Sequence, residues 1–518
     1  MGKDRLIGVD LGTGACKTVV MDASGNILGR ASEEYPTYYP GRGWAEQEPE
    51  DWYRAFCSSL QQAIKQACVP PELIGAVSLD GATHTVALLD GKKDVVRKAI
   101  LWTDKRTKAQ AEKVGRHFGD EVLRITHNAP GCAWTIAHLL WIRDAEPAVW
   151  DKAVLILPVK DYVRYRITGE VATDYIEAVG TMLADANTFE WSRRLCEFAG
   201  VNLDMLPPIV SPSDIVGCIT KQGAEDTGLL EGTPVVAGAP DTAVEMFGAG
   251  AMHPGDFTVK LATSGRICVV ADRPFAHPEI VTYPHLVKGR WYPGTGTTSC
   301  ATSYRWFRDA FYSQEGCTLP DREPNAFQVM DIEAARCPAG SEGLIFHPYL
   351  LGEGSPYYDP DLRGDFLGIT VRHRRRHFAR AVLEGTAFSL RDCVGLLRAL
   401  GIQMGKGRLI GGGAQSNLWG QIVADVLDME LIRMEASDAA FGAAMLAGVG
   451  GGVFNDLEDA VARCVKVRDP IVPNRQRARV YAGLFDIYKQ TVDALRELNH
   501  RLSTLAKSLD TEREVSAI

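Results

Sequence analysis

Near the start of the chain the apolar positions change period. Runs of aliphatic and β-branched residues over 5–11 and 17–22 flank a short glycine-bearing turn, and a third run covers 27–32 after an Ala-Ser-Gly-Asn loop. Such runs, bounded by turn residues, read as three strands of a meander. From about residue 49 to 67 the period lengthens: Trp52, Phe56, Leu60 and Ile64 recur every four residues and mark one face of an amphipathic helix. Strands are expected again over 74–79 and 85–89. Three strands, a helix and more strands predict an α/β unit, a mixed sheet with helices packed on it.

Two later stretches echo parts of this. "GDFTVKLATSGRICVVADR", 255–273, is again strand, small-residue turn, strand, with Thr263-Ser264-Gly265 where Gly12-Thr13-Gly14 stands in the first hairpin. The echo covers the hairpin alone. In "GRLIGGGAQSNLWGQIVADVLD", 407–428, a short strand enters Gly411-Gly412-Gly413. A helix then begins near Ser416, with Ser416 or Asn417 as its N-cap. A helical tail is expected from about 476 to 506, with the last dozen residues frayed.

The first turn, "IGVDLGTGACKTVVMD", has the ingredients of a phosphate cradle but fits neither common one. A Walker A loop needs Gly before its Lys, and here Cys16 precedes Lys17. The dinucleotide pattern fails because Lys17 stands where its third glycine belongs, and both motifs require a helix next, where this chain has a strand. Backbone N–H groups in strand–turn–strand bends can still form anion-binding nests, and Thr and Ser hydroxyls add donors. Helix N-termini after glycine turns suit phosphates or nucleotide edges. Two hairpins and a glycine turn together make three walls of one nucleotide site. Lys17 reads either as a phosphate contact or as a surface-strand lysine. Asp10 reads either as the holder of hydrated Mg²⁺ or as an Asx turn closure. Asp241 precedes an apparent helix over 242–247, and spacing alone leaves capping and proton acceptance open.

At 518 residues the chain needs two or more large domains. The net charge of −9 gives no basic stripe for nucleic acid. The run Arg372-His373-Arg374-Arg375-Arg376-His377 reads as a solvated loop leading into a helix. No secretory signal and no apolar run of membrane-spanning length is visible, and twelve scattered cysteines without a C-x-x-C pair suggest reduced thiols in a cytoplasmic protein. Cys16 reads as a small filler.

In several motifs the chain resembles the FGGY carbohydrate kinases, within the sugar kinase/Hsp70/actin superfold, and most closely their xylulokinase branch. "DLGTGACK" is similar to the family's first phosphate hairpin, "LATSG" to its second, and "GGGAQSNLWGQIVADVL" to its adenosine-side signature. "LWTDKRT", "KDYVRYRITGEVATDYIEAVGT", "GLIFHPYLLGEGSPYYDPDLRG" and "EGTAFSLRD" follow the family pattern in order. The resemblance implies two ribonuclease H-like (actin-like ATPase) domains with the active site in the cleft between them, closing over substrates: 1–250 on the sugar side, 251–480 on the nucleotide side, and a tail over 481–518. It implies transfer of the ATP γ-phosphoryl group to a sugar hydroxyl, with Asp241 as base, Asp10 toward Mg²⁺, and Thr83, His84, Trp102, Asp104, Asp241 and Thr242 toward the sugar. The nucleotide side would comprise Gly12, Thr13, Gly14, Lys17, Thr263, Ser264, Gly265, Gly296, Gly412, Gly413 and Asn417. The partners implied are ATP and a small sugar, with no nucleic acid or membrane and with a homodimer as the assembly.

The sugar side departs from the family pattern. Ala82-Thr83-His84-Thr85 stands for Gln-Met-His-Gly, Asp241-Thr242 for Asp-Asn, His138 for a lysine and Gly354 for an arginine. A ketopentose such as D-xylulose is the first expectation. Another ketose or a polyol (ribulose, erythrulose, erythritol, glycerol) competes with it. An actin- or Hsp70-like ATPase and a non-catalytic sugar sensor are the alternatives from other classes.

Overall fold

The computed structural model describes residues 2–312 and 325–516. The chain divides into two compact units. The first is built from 1–254, 270–293 and 435–466, and the second from 255–269, 294–434 and 467–518.

In the first unit the meander forms as its pattern implies, with strands β1 (Arg5–Leu11), β2 (Ala15–Asp22) and β3 (Ile27–Glu34). Helix α1 (Pro49–Ala67) buries Trp52, Phe56 and Leu60 against the sheet, with Ile64 packed at the edge of that core. Strands β4 (Ile74–Gly81), β5 (Ile215–Cys218) and β6 (Pro234–Pro240) complete the sheet in the order β5-β6-β4-β1-β2-β3. β6, β4 and β1 are parallel neighbours, and the flanking pairs are antiparallel. Helices α2 (Val159–Thr168), α3 (Tyr175–Gly180) and α4 (Asp241–Gly248) belong to the same unit.

One face of this sheet is covered by a helix from much later in the chain, Ala439–Gly450. Its sequence, AAFGAAMLAGVG, is small and apolar all round, and it is buried on almost every side. That smallness permits unusually close seating. A Cβ on Gly8 of β1 would overlap the carbonyl oxygen of Ala440, and one on Gly442 would overlap the carbonyl oxygen of Val244 in α4. Glycine is required at both places because backbone fills the space a side chain would need. The helix thereby fixes β1, which ends beside Asp10, relative to α4, which begins at Asp241.

In the second unit, β7 (Phe257–Leu261), β8 (Gly265–Val269), the latter half of β9 (Trp291–Thr297), β10 (Gly407–Ile410), β11 (Leu431–Met434) and β12 (Val467–Ile471) run in the order β9-β8-β7-β10-β11-β12. The pairings, read from β9, are antiparallel, antiparallel, parallel, parallel, antiparallel. Read from β3, the first sheet has that same succession. The echo visible in the hairpins therefore extends over these six strands of each sheet. Helix α5 (Arg375–Ala399) grows out of the basic run, whose Arg372 and Arg375 pair with Glu342 and Glu333. Helix α6 (Asn417–Leu427) starts at a Ser416 cap whose hydroxyl accepts from the Trp419 N–H at 3.0 Å. The tail is one helix, Arg475–Ser516, so the stretch expected to fray is helical as far as Ser516.

Among the described residues no helix is long and apolar enough to cross a membrane. The described cysteines are unbridged, and burial pushes the Cys16 thiol up, in keeping with a filler role.

Candidate active site

In the first unit the parallel strands β1, β4 and β6 end side by side, the usual place for a ligand on an α/β sheet. Their register sets Asp10 beside Asp80, Ala239 beside Asp80, and Pro240 beside Gly81. Asp10 is buried at the lip of the first hairpin and accepts a hydrogen bond from Lys17 Nζ at 3.1 Å. Its carboxylate is the main cause that raises the Lys17 ammonium above its ordinary pKa. The turn itself is closed by backbone, Gly12 N–H to the Ala15 carbonyl. Thr13 lies on this hairpin, and its hydroxyl accepts from the Trp102 indole N–H at 3.0 Å.

Asp241 is the first residue of α4. Its Oδ1 accepts from the backbone N–H of Thr242 at 2.5 Å and from the Thr242 hydroxyl at 3.1 Å. An N-cap carboxylate serves N–H groups two or three residues on. Here the bond goes to the next residue, so Asp241 does not cap its helix in that way. Thr242, where the family pattern has an amide, fixes the orientation of the Asp241 carboxylate.

Asp80 was not singled out from sequence. It is fully buried, and neither carboxylate oxygen has a hydrogen-bond acceptor's usual N–H or O–H partner. Burial, and then the charges of Asp10, Asp241 and Glu245, push its pKa well above the carboxylate range. A neutral acid resolves the apparent orphan, because its O–H can donate to Asp10 where an ionised group could only accept. One signal pointed to it: a charge inside the otherwise buried strand IGAVSLDG.

His84 lies beyond the end of β4 in a left-handed conformation, with φ +75°. Its Nδ1 is 2.7 Å from the Gly180 carbonyl and its Nε2 is 3.1 Å from the Tyr283 hydroxyl. Thr83 is pressed against Gly180, where an added Cβ would run into the Thr83 methyl. Asp104 is fully buried and engaged elsewhere. It accepts from the Ala45 N–H at 2.6 Å and from Arg106, whose guanidinium lies 3.8 Å over the Trp44 ring. His138 is buried with Nε2 at 2.9 Å from the Cys132 carbonyl, and desolvation lowers its pKa to about 4. It is thus a neutral group where the family pattern has a cation.

Behind these residues lies a wholly buried ionic cluster. Lys160 Nζ is 2.7 Å from both Asp161 and Asp174, and Arg164 Nη1 is 2.7 Å from Asp161. Asp174 caps α3 by accepting from the N–H groups of Ile176 and Glu177. α3 ends at Gly180, the anchor of His84.

In the second unit the turn between β7 and β8 exposes Thr263 and Ser264. The Thr263 carbonyl accepts from the N–H groups of Cys300 and Thr302 and from the Thr302 hydroxyl. Across β8 and β9 Gly265 pairs with Thr297 and Gly296 with Arg266. Beside them Glu353, also missed from sequence, accepts from the Thr297 hydroxyl at 2.6 Å, the Thr298 and Gly354 N–H groups at 2.7 Å, and Ser389. Gly412 and Gly413 form the short 3₁₀ turn that leads to Ser416. Asn417 accepts from Arg433 at 2.6 Å. A cavity of about 290 Å³ adjoins α6, lined by Leu418, Gln421, Ile422, Arg380 and Arg477 among others.

Comparison with known proteins shows the family and the fold. The family models for the FGGY family of carbohydrate kinases match twice, the N-terminal domain over residues 5–248 and the C-terminal domain over 260–451. The chain is 34% identical over 507 residues to a xylulose kinase of Bacillus subtilis, covering 97% of this chain and 99% of that protein. It is 28% identical over 487 residues to a gluconokinase of the same organism, covering 93% and 94%. The crystal structure of xylulose kinase from Rhodospirillum rubrum superposes with a TM-score of 0.84 at 28% identity, over 96% of this chain and all of that one.

Proposed function

The chain belongs to the FGGY family of carbohydrate kinases and phosphorylates a sugar using ATP; on that premise we propose that its acceptor is a ketopentose, D-xylulose before others, and that Asp241 is its proton acceptor. The observation that carries the assignment is the Asp241 carboxylate itself. It starts α4 at the same sheet end as Asp10, and Thr242 holds one of its oxygens. The other oxygen takes the hydroxyl proton as the alcohol oxygen attacks phosphorus. General-base assistance of this kind contributes about 10² to 10⁴ in rate. Thr83 and His84 serve the sugar, with Trp102 beside them. The N–H groups and hydroxyls around Gly12, Thr13 and Gly14, with Lys17, serve the phosphates, as do Thr263, Ser264, Gly265 and Gly296. Gly412, Gly413 and Asn417 serve the adenosine. Asp104, locked to Arg106, shapes the sugar side from behind.

A divalent cation fits the first unit. No group of three or more ligating side chains converges there among the described residues. Hydrated Mg²⁺ needs only one or two carboxylates besides phosphate oxygens. Asp10, which the strand register sets beside the buried acid Asp80, would hold it. When bound, Mg²⁺ neutralises charge on the transferring phosphoryl group. Unbridged thiols on the described cysteines support action in a reducing cytoplasm.

A second reading, a different ketose or a polyol of four to six carbons, is favoured by Thr242 and His138, which change the polar groups offered to the acceptor. Purified protein with Mg·ATP and a panel of ketoses and polyols tests both, with ADP release as the readout. Turnover strictly dependent on a ketopentose is expected. Equal ADP release without sugar would refute the proposal.

A further inference from the structure

The terminal helix, Arg475–Ser516, packs along one side on the second unit, to which it belongs. Tyr481, Tyr488 and Val492 are buried, and the Tyr488 hydroxyl is 2.7 Å from that of Tyr349. Further along, Ser503 donates to Asp361 and His500 lies against Asp359, each at 2.7 Å. The helix is therefore held as a rail, and its rotation about its own axis is set. Roughly a third of a turn round from these anchors runs a second apolar row that the unit leaves in water. Val480, Ile487, Leu498, Leu502, Leu505 and Leu509 are 43 to 60% exposed. At 3.6 residues per turn these six fall within an arc of about 100°, with Leu484, Thr491, Ala494 and Leu495 between them. Scattered exposed aliphatics are ordinary, whereas a continuous stripe marks an interaction face.

We infer that this stripe is the contact between two copies of the chain, which pair their terminal helices antiparallel about a twofold axis between Ala494 and Leu495. The row is its own complement in that register. Val480 meets Leu509, Leu484 meets Leu505, Ile487 meets Leu502 and Thr491 meets Leu498, so no apolar side chain of the row faces a charge. A twofold contact requires such self-matching, because each pairing occurs twice. Charge favours the same direction. Arg475 and Arg479 are exposed at the start of the helix, and the sequence near its end, 510–514, sets three acids against one arginine. Antiparallel pairing brings these unlike ends together, where parallel pairing would oppose like ends. From 480 to 509 the stripe is about 44 Å long at 1.5 Å per residue, and a helix about 11 Å wide gives it a footprint on the order of 500 Å² on each copy. The two copies together bury about 1,000 Å², the lower bound of a specific interface, which sets the expected dissociation constant in the micromolar range.

Sedimentation equilibrium of the full chain, at about 1 to 100 µM, reads the association. Wild type is expected to shift from the 56.5 kDa of one chain toward twice that mass. Ile487→Glu and Leu502→Lys each put an unpaired charge into both symmetry-related contacts, and each should weaken association at least about a hundredfold. In the double variant Ile487→Glu/Leu502→Lys every introduced carboxylate faces an introduced ammonium of the other copy, so association should recover at least about tenfold over either single variant. Parallel pairing would instead set like charge against like and give no recovery. Both positions are exposed, and the recovery excludes misfolding as the cause of the loss. A wild type that stays monomeric at about 100 µM, single variants that associate as wild type does, or a double variant no better than the single ones would each overturn the inference. None of these outcomes bears on the kinase reading, which is tested by turnover.

Discussion

Replacing Lys160 by methionine removes one charge from a cluster that has no access to water. The side chains of Lys160, Asp161, Arg164 and Asp174 are all wholly buried. Burial also pushes the pKa of the neighbouring Glu177 far up, which keeps it neutral. Two cations then face two anions. Burial pulls on the Lys160 ammonium, and the adjoining Asp161 and Asp174 carboxylates more than compensate, so its pKa lies above the ordinary value. Lys160→Met fills the volume of the stem but leaves one buried negative charge uncompensated. Breaking a buried pair this way costs about 3–5 kcal/mol. In a unit of roughly 300 residues that corresponds to a fall in Tm of about 5–8 °C. Differential scanning calorimetry at pH 7.5 measures it. Lys160→Met/Asp174→Asn restores the balance, keeps an oxygen to cap α3, and should recover at least half of the loss. A Tm within 1 °C of wild type, or a double variant no better than the single one, would refute the electrostatic account. The same variant should raise the sugar KM, because Asp174 caps the helix that carries the His84 anchor.

Asp241→Asn should lower kcat by about 10² to 10⁴ while ATP binding, measured by calorimetry, is preserved. Near-normal turnover would remove Asp241 as the base. Asp80→Asn should stabilise the protein in the presence of EDTA. The folded acid has a raised pKa, so between the unfolded value and the folded one it binds a proton the unfolded chain has released, and stability falls as pH rises through that window. The gain in Tm should therefore be larger at pH 8 than at pH 4, and a pH-independent effect would contradict this reading. Gly442→Leu should be strongly destabilising, by more than about 3 kcal/mol, because backbone of α4 occupies the space, and chemical denaturation should show it.

Local pattern carried a good deal of this structure. The four-residue recurrence of Trp52, Phe56 and Leu60 placed α1 within its observed bounds, and both glycine hairpins formed as strand–turn–strand. What stayed hidden depends on residues distant in sequence. The helix 439–450 has no amphipathic stripe, because it is buried all round. The segment KDYVRYR is rich in charge, yet Lys160, Asp161 and Arg164 neutralise one another inside the core. His84 was visible as a candidate, but its partners Gly180 and Tyr283 lie 96 and 199 residues away, beyond the reach of any spacing argument. The repeat of sheet order was legible only at the hairpins, since parallel pairings leave no mark on neighbouring residues.

The late return of residues 439–450 has a consequence for how the chain is made. On the ribosome, β1 to α4 emerge with the Gly8 face of their sheet bare, and the element that covers it is synthesised almost two hundred residues afterwards. At 5–20 residues per second that delay is on the order of ten to forty seconds. During it a half-finished sheet displays apolar surface to the cell, so a fragment ending near residue 250 should be a client of chaperones and should precipitate without them.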